Sequence, residues 1–203
     1  MKNKMKKYLK FSILALCSII IFSFQANAEE FIFEGEEIEI LNEGKKLVSK
    51  KGVKVTTDDK TEIIADEFEY DKVKNELLLK GNILIENLSD KTLIKSNEIR
   101  YFKTLGKIIT YGDTQINIDN NYIIDTKDAV ILKSEGTLSS SKNTSIKDKY
   151  QNEFKTEEFM FFIREEILKA KNVELVDNQG NVSELNNFFG DLKNEEFHGK
   201  DLK

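Results

Sequence analysis

The chain has 203 residues, of which 36 are acidic and 31 are basic, giving a net charge of −5. A chain of this length can hold one domain and a targeting segment. The excess of acidic over basic side chains argues against a basic groove of the kind that binds nucleic acid. Cys17 is the only cysteine, so disulfides within the chain and cysteine-based metal sites are excluded.

The first 28 residues form a predicted secretory signal peptide. Five lysines in residues 1–10 precede a mostly apolar run of 14 residues, Phe11–Phe24, and the small-x-small sequence Ala26-Asn27-Ala28 follows. Because a membrane-spanning helix needs about 20 apolar residues, we expect cleavage after Ala28. The mature chain, 29–203, then has 26 basic and 36 acidic side chains and no cysteine. The alternative is an apolar run that stays in place as a membrane anchor.

A unit of about 30 residues recurs along the mature chain. Each copy contains an apolar residue, a small residue, an acid and an apolar pair, which return at steps of 30 or 31 residues. Because the acids recur at every level, they indicate a solvated stripe and not a singular catalytic cluster. The five columns are Phe33, Ile63, Ile94, Ile124 and Phe154; Gly35, Ala65, Ser96, Thr126 and Thr156; Glu37, Glu67, Glu98, Asp128 and Glu158; Ile38, Phe68, Ile99, Ala129 and Phe159; and Ile40, Tyr70, Tyr101, Ile131 and Phe161.

Alternation within each copy predicts β-strands. Apolar residues are spaced two apart, as in Phe68/Tyr70 and Ile83/Ile85, and β-branched and aromatic residues dominate these segments. Ile63 and Phe68 are five apart, so a regular strand would place them on opposite faces unless a bulge or bend lies between them. Residues 157–171 have helical propensity, but the register of the repeat predicts strands there too.

Glycine and asparagine residues divide each copy into two segments. Gly44, Asn75, Gly106 and Gly136 mark turns, whereas Gly52, Gly81 and Gly112 interrupt the second apolar segments and predict bulges or bends.

A single unit cannot bury its apolar face, so copies must stack around a shared interior. The predicted fold is all-β, with the repeats of residues 29–203 stacked into an antiparallel β-jelly-roll or a folded-over open sheet. The sequence ends within a sixth copy that begins near Asn186. Such a structure has two exposed edge strands, to which another chain can add a strand.

Two segments carry a resemblance to a known family. IIADEFEYDKVKNELLLKGNILIE (63–86) and TLIKSNEIRYFKTLGKIITYGDTQI (92–116) resemble the OstA-like domain. In that family an acidic or small residue leads into an aromatic-x-Tyr-Asp sequence, and a glycine-containing apolar strand follows. The domain is shared by the lipopolysaccharide transport proteins LptA and LptD, and residues 159–201 are most similar to the amino-terminal domain of LptD.

The resemblance implies a periplasmic or outer-membrane protein that shields lipid acyl chains in an apolar β groove. It also implies lipopolysaccharide as ligand and edge-to-edge docking with other jelly-roll transport proteins, with an outer-membrane location if the chain belongs to a longer LptD. The candidate groove residues are the inward-facing members of the apolar rows: Phe68, Tyr70, Ile83, Ile85, Ile99, Tyr101, Ile116, Ile118, Ile131, Phe159 and Phe161.

Two other classes of protein are compatible with the same pattern. The rows could pack against each other as the closed core of a structural or adhesive envelope protein. A membrane-tethered relative of the LptC type would retain the apolar run as an anchor. An enzyme is not expected, because no catalytic, cofactor or metal-binding set is found and His198 is the only histidine.

Overall fold

The computed structural model describes residues 31–200, and the predicted signal peptide, 1–28, lies outside them. No helix in the described part of the chain has the length and apolar character needed to cross a membrane. Residues 31–200 contain one 3₁₀ helix, Lys103–Leu105, and 18 strands. The strands are β1 (Ile32–Glu34), β2 (Glu39–Leu41), β3 (Lys46–Ser49), β4 (Val53–Thr56), β5 (Thr61–Ala65), β6 (Glu67–Asp71), β7 (Glu76–Asn87), β8 (Thr92–Phe102), β9 (Lys107–Ile118), β10 (Tyr122–Lys127), β11 (Val130–Leu132), β12 (Thr137–Ser140), β13 (Thr144–Asp148), β14 (Glu153–Thr156), β15 (Glu158–Phe162), β16 (Ile167–Val176), β17 (Val182–Asp191) and β18 (Glu196–Lys200).

The strands form a folded antiparallel meander in which each row pairs with the next. Six rows are split into two short strands, so the 18 strands make twelve rows, two for each repeat. The rows fold over into two arms. Arm A contains β1, β4, β5, β10, β13 and β14 with the adjoining parts of β7, β8, β9, β16 and β17. Arm B contains β2, β3, β6, β11, β12, β15 and β18 with the other parts of those long strands.

This arrangement confirms the predicted fold class, an all-β stack of repeats in a folded-over antiparallel sheet. The segment with helical propensity is also a pair of strands, β15 and β16, joined by a turn. The pairing of each of these strands with neighbours from other repeats outweighs its weak local preference for helix.

A bend between the arms lies at the same height in each row, where the predicted glycines occur. Gly81 and Gly112 have positive φ values of 72° and 75°. At Gly112 the register of β8 and β9 shifts, so that Asn97 faces two residues of the neighbouring row. Such a bulge bends the strand and strengthens its twist. The bend also explains Ile63 and Phe68, which are both buried because β5 ends and β6 begins between them.

The column of small residues lines the inside of this bend. Ala65, Ser96, Thr126 and Thr156 are all buried there. The hydroxyl oxygens of Ser96 and Thr114 are 3.3 Å apart, and that of Thr156 donates to the Lys171 carbonyl oxygen at 2.6 Å. Small side chains are required where the two arms converge, and their hydroxyls satisfy backbone groups that the interrupted ladder leaves free.

The inner faces of both arms share one hydrophobic cluster, which is the core of the described structure. Tyr122 and Phe161 are fully buried in it, with ring centroids 5.3 Å apart. Near the amino-terminal end, the ring of Phe31 contacts those of Tyr70 and Tyr101, each at 5.4 Å. The core therefore runs continuously from one repeat to the next.

The bend should be more sensitive to substitution of Gly81 than to substitution of Gly112. Both residues have positive φ, which costs a residue with a Cβ about 1 kcal/mol. A Cβ on Gly81 would also lie 2.5 Å from Asp66 Oδ2, whereas nothing lies within 4 Å of one on Gly112. We expect Gly81→Ala to lower the free energy of unfolding by about 2 kcal/mol and Gly112→Ala by about 1 kcal/mol. Urea denaturation would measure both, and equal losses would contradict a steric role for Asp66.

The inward register can be tested on two adjacent residues of β15. Phe161 is fully buried, whereas Met160 is 43% exposed on the opposite face. Phe161→Ala should lower the free energy of unfolding by about 3–5 kcal/mol, and Met160→Ala by about 0.5 kcal/mol. Thermal or urea unfolding followed by circular dichroism would give both values. Similar losses in the two variants would show that the register of β15 is wrong.

Candidate functional site

All of the predicted groove residues lie in the interior. The eleven side chains are at most 7% exposed, and each belongs to the hydrophobic cluster shared by the two arms. In this structure the rows pack against each other. The inward orientation agrees with the alternation in the sequence, while contact of these residues with lipid stays a prediction.

The interior opens at the side opposite the bend, which we call the mouth. There the turns at the end of arm A face the turns at the end of arm B across a cavity of about 410 Å³. Its apolar floor includes Ile85 and Ile131 from the predicted rows, together with other buried isoleucines. A cavity of this size is within the range of small-ligand sites. Its lining is Asp59, Thr61, Ile85, Asn87, Ser89, Asp90, Thr92, Ile94, Ile108, Ile131, Leu132, Lys133, Gly136, Ile163 and Arg164.

A larger depression of about 960 Å³ lies on the outer face of arm B. Its lining includes the exposed side chains of Met160 and Phe189, three lysines, and two buried residues of the interior rows, Phe159 and Phe188. Met160 and Phe189 alternate with the inward-facing Phe161 and Phe188 along their strands. We place the candidate site for apolar ligands at the mouth, where buried isoleucines form the floor and turns of both arms form the rim.

An ion pair joins the two arms across the mouth. Lys133 Nζ, on arm B, lies 2.7 Å from Asp59 Oδ2 on arm A, and it also donates to the Tyr101 hydroxyl at 3.1 Å. Burial raises the pKa of Asp59, but hydrogen bonds from Lys133, Thr57 and Thr61 outweigh burial and lower it to about 2. The carboxylate is therefore ionised and paired at neutral pH.

Two further contacts connect the arms at other levels of the stack. The Tyr122 hydroxyl donates to Glu166 Oε2 at 2.6 Å. Burial and this carboxylate raise the pKa of Tyr122, so the hydroxyl stays protonated. Lys103 Nζ lies 4.8 Å from the centre of the Phe31 ring, a cation–π distance. We call these two contacts and the Asp59–Lys133 pair the cross-mouth contacts.

The recurrent acids are solvated, as the sequence indicates. Glu37, Glu67, Asp128 and Glu158 are exposed on the outside of the bend, and Glu98 is half-buried. Three of them pair with a lysine of the next row: Glu37 with Lys51, Asp128 with Lys142 and Glu158 with Lys171. Residues 31–200 contain no group of three or more histidine, cysteine, aspartate or glutamate residues that could hold a metal ion.

The residues at the rim of the mouth were not among the sequence-predicted site residues. The charged residues of the rim, Asp59, Lys133 and Arg164, lie in turns, and Thr92 begins β8. All four are outside the five columns, and contacts between different repeats leave no local pattern. One signal was present, because lysine recurs as Lys72, Lys103 and Lys133 at steps of 31 and 30 residues. Two of these lysines form cross-mouth contacts.

The sequence matches no family model and no curated protein. Among solved structures, the chain is similar to LptH, described as the LptA homologous periplasmic component of the conserved lipopolysaccharide transport device from Pseudomonas aeruginosa. The similarity has a TM-score of 0.42 at 15% sequence identity, and it covers 70% of this chain and 82% of the LptH chain.

The Asp59–Lys133 pair should make stability depend on pH in the acid range. The folded-state pKa of Asp59, about 2, is below its ordinary value of 3.8. The stabilisation is therefore complete above about pH 4 and is lost as the pH falls through about 2. Because both groups are partly exposed, we expect Asp59→Asn to cost only about 1 kcal/mol near neutral pH.

Urea denaturation of the wild type and Asp59→Asn, near neutral pH and at about pH 2, would measure this dependence. Most of the difference between them should vanish at the lower pH. Asp113→Asn is the matched control, because Asp113 pairs with Lys127 at a far more exposed position. A difference between wild type and Asp59→Asn that persists unchanged in acid would contradict the assignment.

Proposed function

We propose that this protein is a periplasmic carrier of lipopolysaccharide, which receives acyl chains between the two arms of its folded sheet. The observation that carries the proposal is the cavity at the mouth, with an isoleucine floor that belongs to the interior rows and a charged rim. An amphiphile needs both features, because its chains seek apolar surface and its headgroup seeks polar partners.

The repeated rows suit a ligand with several long chains. Each CH₂ group removed from water contributes about 0.8 kcal/mol, so a multi-acyl lipid requires a long apolar surface. Transport also requires similar, weak sites along the path. The rows of Phe, Tyr and Ile that line successive levels of the core supply such a series. The resemblance of residues 63–86 and 92–116 to the OstA-like family supports lipopolysaccharide as the ligand.

The open edges of the sheet support docking with other proteins of the same fold. Among the described strands, β2 pairs only with β3, and β18 pairs only with β17. Ile40 on β2 and Phe197 on β18 are exposed large apolar residues. Addition of a partner strand at either edge would extend the sheet and its interior. An outer-membrane location follows if the chain is part of a longer protein of the LptD type.

A structural β-repeat protein of the envelope is the second candidate. The observation that favours it is the nearly complete burial of the eleven interior residues, since a permanent core has the same appearance. A membrane-tethered protein of the LptC type would retain residues 1–28 as an anchor. The intact mass of the purified protein would decide between a cleaved and a retained segment.

Photo-crosslinking in cells would test the carrier function. A photoreactive amino acid at Ile131 or Ile85, at the mouth, or at Tyr70, Ile99 or Phe161, deeper in the rows, should crosslink to lipopolysaccharide. The same probe at Glu69 or Glu98, or at Val130 beside Ile131, faces away from the interior and should not. Crosslinks confined to the inward set would support the carrier. Their absence from all positions in folded protein would favour the structural role.

A further inference from the structure

The rim of the mouth combines a fixed acid with a cation at the edge of the apolar floor. Asp59 is held in its turn by the backbone N–H of Thr61 at 3.3 Å and by Asn87 Nδ2 at 3.3 Å. Lys133 reaches it from the other arm, and its Nζ also lies 5.3 Å from the centre of the Tyr101 ring. The mouth is therefore closed by a contact between an anchored carboxylate and a long, flexible side chain.

The position of Lys133 matches the place of an amphiphile's headgroup. Its neighbour Ile131 belongs to the floor, so the ammonium group lies where apolar surface meets solvent. An acyl chain on this floor would bring its headgroup to the rim. A phosphate or carboxylate there could accept the hydrogen bond that Asp59 now accepts from Lys133.

Arg164 provides a second cation on the same rim. It is exposed, lines the cavity, and forms no ion pair within residues 31–200. The guanidinium passes close to Gly136, which has no side chain. A Cβ placed on Gly136 would lie 3.4 Å from Arg164 Nε. A planar guanidinium can donate two parallel hydrogen bonds to a phosphate.

The Thr92 hydroxyl provides independent evidence that a hydrogen-bond partner is missing at the mouth. Its side-chain hydroxyl lines the cavity and is buried without a hydrogen-bond partner in the described part of the chain. A buried hydroxyl left unsatisfied is costly, so such groups usually have a partner. An anionic oxygen entering the mouth would supply an acceptor for it.

We propose that the Asp59–Lys133 pair is a latch, opened when the phosphorylated headgroup of an incoming lipid replaces Asp59 on Lys133, with Arg164 and Thr92 completing the headgroup site. This inference rests on the proposed carrier function and adds its anion site and its gate. Asp59 acts as an internal competitor that holds the mouth closed until a ligand arrives.

The energetics allow such an exchange. A partly exposed ion pair contributes little to stability, so the latch is weak compared with the burial of several acyl chains. After exchange, Asp59 keeps its hydrogen bonds from Thr61 and Asn87, and Lys133 keeps an anionic partner. Because the ligand binds the open form better than the closed form, it shifts the population toward the open form.

Binding measurements on the full mature chain separate a latch from a simple tether. The probe is diphosphoryl lipid A, with affinity read from quenching of a fluorescent acyl-chain analogue that it displaces. Asp59→Asn removes the competitor and keeps the cation, so binding should strengthen about threefold to tenfold. Lys133→Met removes the ion pair with Asp59 and also the cation that would bind the headgroup, so binding should weaken about tenfold. Arg164→Gln, at an exposed position outside the latch, should also weaken binding.

The opposite signs for Asp59→Asn and Lys133→Met are the decisive result. If both variants bind more tightly, the ion pair is only a tether and the anion site is wrong. If wild-type protein and all variants fail to bind lipid A, the carrier function itself is wrong. Circular dichroism and urea unfolding confirm that each variant is folded before binding is compared.

Two further binding measurements identify the anion. Dephosphorylated lipid A should bind Lys133→Met about threefold to tenfold more tightly than wild type, because it has no phosphate to pair with Lys133 and the variant has no latch to open. Inorganic phosphate should not displace diphosphoryl lipid A at equimolar concentration. Displacement by phosphate under these conditions would overturn the headgroup assignment in favour of a site for free phosphate.

Discussion

The bend that each row makes at the same height is the constraint on which the rest of this structure depends. A flat sheet of these strands would leave one apolar face in water, because a single layer has nothing to pack against. Bending allows the inner faces of arm A and arm B to bury each other. Backbone hydrogen bonds still cross the bend, from the Gly52 N–H to the Asp66 carbonyl oxygen at 2.7 Å and from the Asp66 N–H to that of Gly81 at 3.0 Å. The ladder therefore continues through the corner.

The two sides of the interior are held together by different forces. At the bend, the chain itself joins the arms, with buried hydroxyls such as Thr126 and Thr144 paired at 2.7 Å. At the mouth, the arms meet only through turns and side chains, and the contacts there include an ion pair, a hydrogen bond and a cation–π contact. Opening at the mouth would leave the strand pairing of every row intact. The fold thus has one side joined by the backbone and one side joined by contacts between side chains.

The sequence predicted the features that repeat and missed those that connect different repeats. Periodicity placed Phe68, Tyr101 and Phe161 on the inner face, because alternation and a fixed step suffice to identify an inward column. The five-residue spacing of Ile63 and Phe68 indicated that a bulge or bend would be needed to place both on the inner face, and the structure supplied the bend. Asp59 and Lys133 come from different repeats and different turns, and their contact depends on how the arms close, which no local pattern encodes.

The closed state of the rows does not distinguish a carrier from a structural protein, because an empty apolar groove would collapse in either case. Exposed apolar surface costs about 25 cal/mol per Å², so arms without a ligand should pack together as they do here. The two functions differ instead in what the rim requires. Within residues 31–200, the Thr92 hydroxyl is buried without a hydrogen-bond partner and Arg164 forms no ion pair beside the isoleucine floor, and a permanent core has no need of either feature. These groups are costly or unused in the closed state, and an anionic amphiphile would engage both. The rim is therefore the part of the molecule that favours the carrier.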